Sequence, residues 1–175
     1  GYIMTGFFFH QVYLVESKGW NMTWFATSFI AYSLTTILAS LSSGPLIDRK
    51  SAWKLLPYFL PPLGLALLLL SAANHPFVAI FFMLASGITV GANYSLFAAL
   101  WAELYGVTHL GAIRSLVATL TVISTALAPF MMGWMIDEGI SMERIALVCF
   151  SYIVAANTLV YFAQRTKLPT TNKQP

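Results

Sequence analysis

The feature that most constrains this chain is a series of long apolar runs separated by short polar connections. A helix needs about 20 mainly apolar residues to cross the hydrocarbon core of a bilayer. Six segments approach this composition: residues 2–15, 22–43, 55–73, 77–101, 112–136 and 145–163. The first is short, and we expect it to be a truncated span. The pattern predicts an all-α, polytopic membrane protein with six transmembrane helices.

The composition also indicates lipid as the solvent for most of the surface. Hydrophobic residues make up 58% of the chain and charged residues only 9%, whereas a typical soluble domain is about 25% charged. The single cysteine, Cys149, cannot form an intrachain disulfide. The histidines have no metal-ligand spacing, and no hydrolase or metalloprotease motif is present. We therefore expect no catalytic residues, no metal, no cofactor and no enzymatic activity.

The basic residues predict an orientation in the membrane. If successive connections alternate between the two sides, one side carries seven lysines and arginines and the other only Lys18 and Arg144. The richer side is assigned to the cytoplasm, and it contains Arg49, Lys50, Lys54, Arg114, Arg165, Lys167 and Lys173. This predicts a plasma (inner) membrane protein whose C-terminus is cytoplasmic, with a disordered tail over residues 164–175. The basic residues are spread over three connections, so they do not indicate nucleic-acid binding.

The second half of the chain repeats features of the first at an offset of 87 to 90 residues. Glu16, Gly19, Gly44, Asp48, Ser51 and Lys54 recur as Glu103, Gly106, Gly133, Asp137, Ser141 and Arg144. Three helices are thus repeated once, over residues 1–74 and 75–163. Because three is odd, the second copy must cross the membrane upside down. Such an inverted three-plus-three repeat forms each half of one large transporter class.

The connection after the second segment resembles a known family signature. Gly44, Asp48 and Arg49 match G-x-x-x-D-R-x-G-R-R, the cytoplasmic signature of the major facilitator superfamily (MFS), with Ser51 in place of the second glycine. Residues 102–111 resemble the family's loop between its tenth and eleventh helices, and residues 126–137 its eleventh helix. Over nearly its full length, the chain resembles the carboxy-terminal six-helix half of an MFS transporter.

The resemblance implies a function and partners. In this family two six-helix halves rock about a central site, so we expect alternating-access transport of a small-molecule substrate, either active or facilitative. The expected partners are the lipid bilayer and a missing amino-terminal half. The alternative is a transporter-derived receptor or scaffold without net transport, and a symmetric pair of six-helix chains is also compatible with the sequence. Replacing Asn93 separates transport from sensing, since a carrier changes its uptake kinetics and a sensor changes only its signalling.

The resemblance also implies that the first helix of each repeat lines the cavity. Within these segments and the second one, polar residues that interrupt apolar sequence are the candidates for substrate contact: His10, Gln11, Tyr32, Ser86, Thr89 and Asn93. Ser86, Thr89 and Asn93 share one helix face at i, i+3 and i+7. The alternatives are an interhelical hydrogen bond for Asn93 and a position near the outer interface for His10.

Two further sets of residues complete the predictions. Asp48 and Arg49 are expected to latch the two halves on the cytoplasmic side, unless they form an exposed loop that only enforces orientation. The predicted gating set is Gly44, Asp48, Arg49, Glu103 and Arg114. Small residues allow close helix contact and proline kinks a helix, so the predicted structural set is Gly87, Gly91, Pro129, Gly133 and Asp137.

Overall fold

A computed structural model of the protein describes residues 1–166, and the regular secondary structure of this part of the chain is all helical, without strands. A short 3-10 helix, Leu56–Tyr58, lies between the fourth and fifth α-helices. The α-helices are α1 Tyr2–Phe9, α2 Gln11–Ser17, α3 Met22–Lys50, α4 Ala52–Leu55, α5 Pro61–Ala72, α6 Phe77–Tyr105, α7 Leu110–Asp137 and α8 Met142–Arg165. Most of the predicted disordered tail lies outside the described residues, although Gln164 and Arg165 belong to α8.

Five helical stretches in residues 1–166 are long and apolar enough to cross a membrane. They are Met22–Lys50, Ala52–Ala72, Phe77–Tyr105, Leu110–Asp137 and Met142–Arg165. The prediction of an all-α, multi-pass membrane protein is therefore confirmed. The first predicted segment forms the short helices α1 and α2, which are separated at His10 (φ −96°, ψ 24°).

The helix boundaries follow from capping residues and prolines. Asn21 begins α3, where its side-chain oxygen accepts hydrogen bonds from the amides of Thr23 (2.8 Å) and Trp24 (3.2 Å). α3 then continues to Lys50, beyond the predicted end at residue 43, with Pro45 inside it. The third segment is interrupted before α5, which begins at a proline. By contrast, α7 runs without interruption through Pro129.

Close contacts at small residues bring the helices together. α3 packs along α6, and a Cβ atom added at Gly87 or Gly91 would collide with the backbone of α3. α1 packs on α7, where Gly6 lies against the side chain of Met132. α5 contacts both α6 and α8. Gly87 and Gly91 thus lie at a close contact between α3 and α6.

The core centres on α6. Half of its most apolar stretch (50%) is buried, compared with 11% in α3 and 11% in α7. Phe7, Phe82 and Met83 are among the fully buried side chains of the main apolar cluster. α3 and α7 therefore leave long faces uncovered, which in water would be costly and in a membrane can contact lipid or another helical domain.

Candidate functional site

Three of the candidate cavity residues, Tyr32, Ser86 and Thr89, lie where α1, α3 and α6 meet. The rings of Phe8 and Tyr32 pack edge to face, with their centroids 5.4 Å apart. The backbone carbonyl of Tyr32 faces Gly87 of α6, where a Cβ atom would collide with it. Tyr32 is therefore the point at which the three helices come together.

Ser86 and Thr89 flank this junction on α6, and both are buried. Within residues 1–166, neither hydroxyl oxygen has a hydrogen-bond partner. An unpaired buried polar group costs about 1–3 kcal/mol, so a water molecule or a solute that bonds to these hydroxyls would be stabilised. Asn93, one turn further along α6, is exposed. The polar stripe of α6 thus runs from the interior to the surface of the described chain.

His10 and Gln11 lie at the break between α1 and α2, and His10 faces α7. The His10 Nε2 atom lies 2.9 Å from the backbone carbonyl oxygen of Pro129. A carbonyl oxygen can only accept, so Nε2 is the donor in this bond. An added Cβ at Gly133 would lie 3.4 Å from the His10 ring. His10 thus packs against α7 at the predicted residues Pro129 and Gly133. Gln11, the next residue, is half-buried.

The signature residues lie at the end of α3. Asp48 and Arg49 are exposed, and Gly44 is half-buried inside the helix. Within residues 1–166, Asp48 and Arg49 form no ion pair. Their side chains are therefore free to meet a group outside this part of the chain.

Glu103, at the end of α6, forms the polar contact that organises this region. Its carboxylate accepts hydrogen bonds from the Ser51 hydroxyl (2.8 Å) and from the backbone amides of Ala52 (2.8 Å) and Trp53 (3.1 Å). These amides begin α4 and have no partners within that helix, so the carboxylate acts as its cap. Glu103 thereby links the end of α6, through hydrogen bonds, to residues 51–53, which follow the signature residues.

Ser51 has the backbone conformation that the signature glycine would favour. Its φ is +74° and its ψ is 141°. It is the only residue other than glycine with a positive φ in the described chain. L-residues reach this region only with strain, about 1–3 kcal/mol, whereas glycine adopts it freely. The chain therefore bends here through a serine in a backbone conformation that glycine adopts freely.

A comparison of the sequence with protein-family models identifies the family of this chain. The model of the Major Facilitator Superfamily matches residues 1–175, which is the whole of the given sequence. The chain belongs to the Major Facilitator Superfamily. Comparisons with curated proteins and with solved structures gave no match. The family predicted from the motifs is thus confirmed, and with it a membrane protein of the transporter class.

Two charged residues of the predicted sets, Arg114 and Asp137, lie away from the contact between Glu103 and α4. Arg114 is exposed in the first turns of α7, and Asp137 is exposed at the other end of the same helix. Neither forms an ion pair within residues 1–166. Their placement fits the two ends of a membrane-crossing helix.

A polar junction that the sequence did not reveal lies at the opposite end of the MFS helices. The side chain of Lys18 is fully buried, and its Nζ lies 2.9 Å from Glu143 Oε1. The same Nζ donates a 2.7 Å hydrogen bond to Asn74 Oδ1. Trp20 donates to the backbone carbonyl of Asn74. Three connections are joined here, and no spacing rule links Lys18 with a residue 125 positions later.

Proposed function

We propose that this chain is one six-helix half of a twelve-helix MFS transporter, which moves a small solute across the plasma (inner) membrane by alternating access. The observation that carries the proposal is the pairing of the helices. α3 packs along α6, α7 packs on α1, and α5 packs on α8. The first repeat has three spans, formed by α1 with α2, by α3, and by α4 with α5. Their counterparts in the second repeat are α6, α7 and α8, in that order. Exchanging the two repeats converts the α3–α6 pairing into the α7–α1 pairing and the α5–α8 pairing into itself, as expected of a three-plus-three repeat, whereas the additional packing of α5 on α6 has no counterpart of similar extent.

The two polar junctions support the same symmetry. Glu103, at the end of α6, caps the start of α4. Lys18, which follows α2, pairs with Glu143 at the start of α8. Exchanging the repeats places α6 at the position of the span that ends with α2, and α4 at the position of the start of α8. The N-cap residues of α4 and α8 also correspond, since they are Ser51 and Ser141. The junctions lie at opposite ends of the helices, which is what an inverted copy demands.

The uncovered faces of α3 and α7 support a second half as partner. Only 11% of each apolar stretch is buried, so both helices retain long faces that a second helical domain can cover. In the proposed transporter these faces meet the amino-terminal half and move against it.

The solute contacts a polar face of this half that extends from Ser86 and Thr89 to Tyr32 and Asn93, with His10 and Gln11 on the α7 side. Hydrogen bonding dominates this contact, because the helices carry no Asp, Glu, Lys or Arg at this depth. At the cytoplasmic end, Asp48 and Arg49 latch the two halves and separate when the protein opens inward.

Labelling of introduced cysteines tests alternating access. Asn93→Cys, placed in a background without other cysteines, including Cys149→Ala, reports access to the cavity face. We expect a membrane-impermeant maleimide to label this variant in intact cells and also in inverted vesicles, because the site opens to each side in turn. The matched control is Leu159→Cys on α8, which is 70% exposed and faces lipid in the proposed arrangement. It should remain unlabelled from both sides.

Asp48→Asn tests the latch in the same assay. Loss of the carboxylate should favour the inward-open state and raise the ratio of labelling in inverted vesicles to labelling in intact cells. Labelling of Asn93→Cys from one side only would contradict alternating access and favour a receptor. A ratio that Asp48→Asn leaves unchanged would contradict the latch.

A further inference from the structure

A cationic cavity lies at the end of α3 beside α4, away from the proposed cavity face. It is open on one side and has a volume of about 470 Å³. Its lining divides into three basic and three largely apolar side chains: Arg49, Lys50, Lys54, Leu46, Leu55 and Tyr58. This division of the lining is the observation that points to a ligand.

In the part of the chain that the structure describes, the three cations have no anionic partner. Within residues 1–166, the ion pairs do not include Arg49, Lys50 or Lys54. Asp48 is adjacent in sequence, but its carboxylate does not line the cavity. Glu103, the other nearby acid, is occupied by the start of α4. Three like charges around one cavity repel one another, and a bound anion would relieve this repulsion.

The other half of the lining is apolar and uncovered. Leu46 is 43% exposed and Tyr58 is 73% exposed. Both belong to helices that are apolar enough to enter the membrane, and the cations stand at the ends of those helices. A free anion would contact only the cations and would leave Leu46 and Tyr58 uncovered. An amphiphile with an anionic head and an apolar chain would contact both.

We propose that this cavity binds the headgroup of an anionic phospholipid. The phosphate lies between Arg49 and Lys54, where guanidinium and ammonium groups donate charge-assisted hydrogen bonds. The acyl chain leaves along Leu46 and Tyr58 into the bilayer. Basic pockets of this kind at the membrane surface recognise anionic lipid heads. The site goes beyond solute transport and holds lipid at the connection that carries the MFS signature. Because Arg49 also belongs to the proposed latch, the lipid occupies the site when that latch is open.

Native mass spectrometry of the full-length protein in detergent tests the proposal. The probe is phosphatidylglycerol, with phosphatidylcholine of the same acyl chains as the zwitterionic comparison of zero net charge. We expect phosphatidylglycerol to remain bound at lipid concentrations where phosphatidylcholine does not. Each basic residue near a membrane surface contributes about fivefold in affinity. Arg49→Gln combined with Lys54→Gln should therefore weaken phosphatidylglycerol binding by about 25-fold.

Four controls decide the interpretation. Arg114→Gln combined with Arg144→Gln removes the same charge elsewhere and should leave binding unchanged; an equal loss there would overturn the site. Arg49→Lys combined with Lys54→Arg keeps the charge and should retain binding, which shows that the cavity tolerates substitution. A melting temperature for each variant confirms that it is folded. Inorganic phosphate should not displace the lipid; displacement at equal concentration would overturn the lipid in favour of a soluble anion. Unchanged binding by the Arg49→Gln and Lys54→Gln variant would also overturn the proposal.

Discussion

The carboxylate of Glu103 lies 2.8 Å from the backbone nitrogen of Ala52, so the last turns of α6 are bonded to the first turn of α4. α6 is the central helix of the described chain and also carries Ser86, Thr89 and Asn93. α4 directly follows the signature residues at the end of α3. One side chain thus connects the candidate cavity helix with the candidate gate.

We expect Glu103→Ala to lower the free energy of unfolding by about 1 kcal/mol, the usual effect of removing a helix cap. Glu103→Gln should lower it less, because the amide oxygen can still accept one hydrogen bond. Denaturation of the purified protein in detergent measures both. The control is Glu16→Ala at the matching position of the first repeat. Glu16 is exposed and forms no ion pair within residues 1–166, so its removal should have little effect.

At Ser51 we expect glycine to be more stable than alanine by about 1 kcal/mol, the reverse of the usual order inside a helix. Both substitutions remove the hydroxyl that donates to Glu103. Only glycine also relieves the strain of the positive φ, which is +74°. Comparing the two variants therefore cancels the lost hydrogen bond. Equal midpoints in a denaturation series would show that the backbone here is unstrained.

We expect Glu143→Gln to be more destabilising than Lys18→Met. The first change leaves a fully buried ammonium group without its carboxylate, and removing one partner of a buried pair costs about 3 kcal/mol. The second leaves a carboxylate that is 32% exposed and can be hydrated. Asn74 still accepts a hydrogen bond from Lys18, which reduces the first effect without reversing the order.

The double variant provides the internal control for this pair. Lys18→Met combined with Glu143→Gln should recover part of the stability that Glu143→Gln loses alone, because the unpaired ammonium is gone. Simple addition of the two single effects would contradict a direct interaction between the two side chains.

We expect Gly91→Ala to lower the free energy of unfolding by about 1–3 kcal/mol, as overpacking does. The new Cβ would collide with the carbonyl of Thr36 and lie 2.9 Å from the Ala39 Cβ. Gly111→Ala is the matched control, since nothing lies within 4 Å of its added Cβ. It should leave stability unchanged or raise it slightly. Similar losses at both glycines would contradict the close approach of α3 and α6.

The membrane class and most helix positions could be predicted because the hydrocarbon core demands apolar length and internal backbone hydrogen bonds. The start of α3 at Met22 was predicted correctly, and Asn21 explains it physically as a cap. The end was not, because Gly44 and Pro45 have the composition of a helix terminus. α3 nevertheless contains both, and it ends where Ser51 adopts a positive φ. Local composition therefore did not determine this boundary.

The polar junctions could not be predicted in the same way, because their partners are distant in sequence. Lys18 was expected only as a charge in a connection, yet it is buried against Glu143. The motif comparison selected Glu103 as a gating residue but did not reveal that the start of α4 is its partner. The pairing of His10 with the carbonyl of Pro129 likewise depends on how α1 packs on α7. Such contacts follow from helix packing, which a single sequence does not specify.

Gln164 offers a prediction in which one substitution should repair another. Its Nε2 donates a hydrogen bond to the backbone carbonyl of Trp53. In a regular helix that carbonyl would accept from the amide four residues later, but residue 57 is a proline and has no amide hydrogen. Gln164→Leu leaves the carbonyl without this donor, which should lower the free energy of unfolding by about 1–2 kcal/mol.

Pro57→Ala restores a backbone donor within reach of the same carbonyl. We therefore expect Gln164→Leu to cost much less in the Pro57→Ala background than in the natural sequence, and a double-mutant cycle measures the difference. Pro61→Ala is the control, since residue 61 lies too far along the chain to serve Trp53 and should rescue nothing. The same loss in all three backgrounds would mean that Gln164 stabilises α8 through packing alone, and that the carbonyl freed by Pro57 is satisfied by another group.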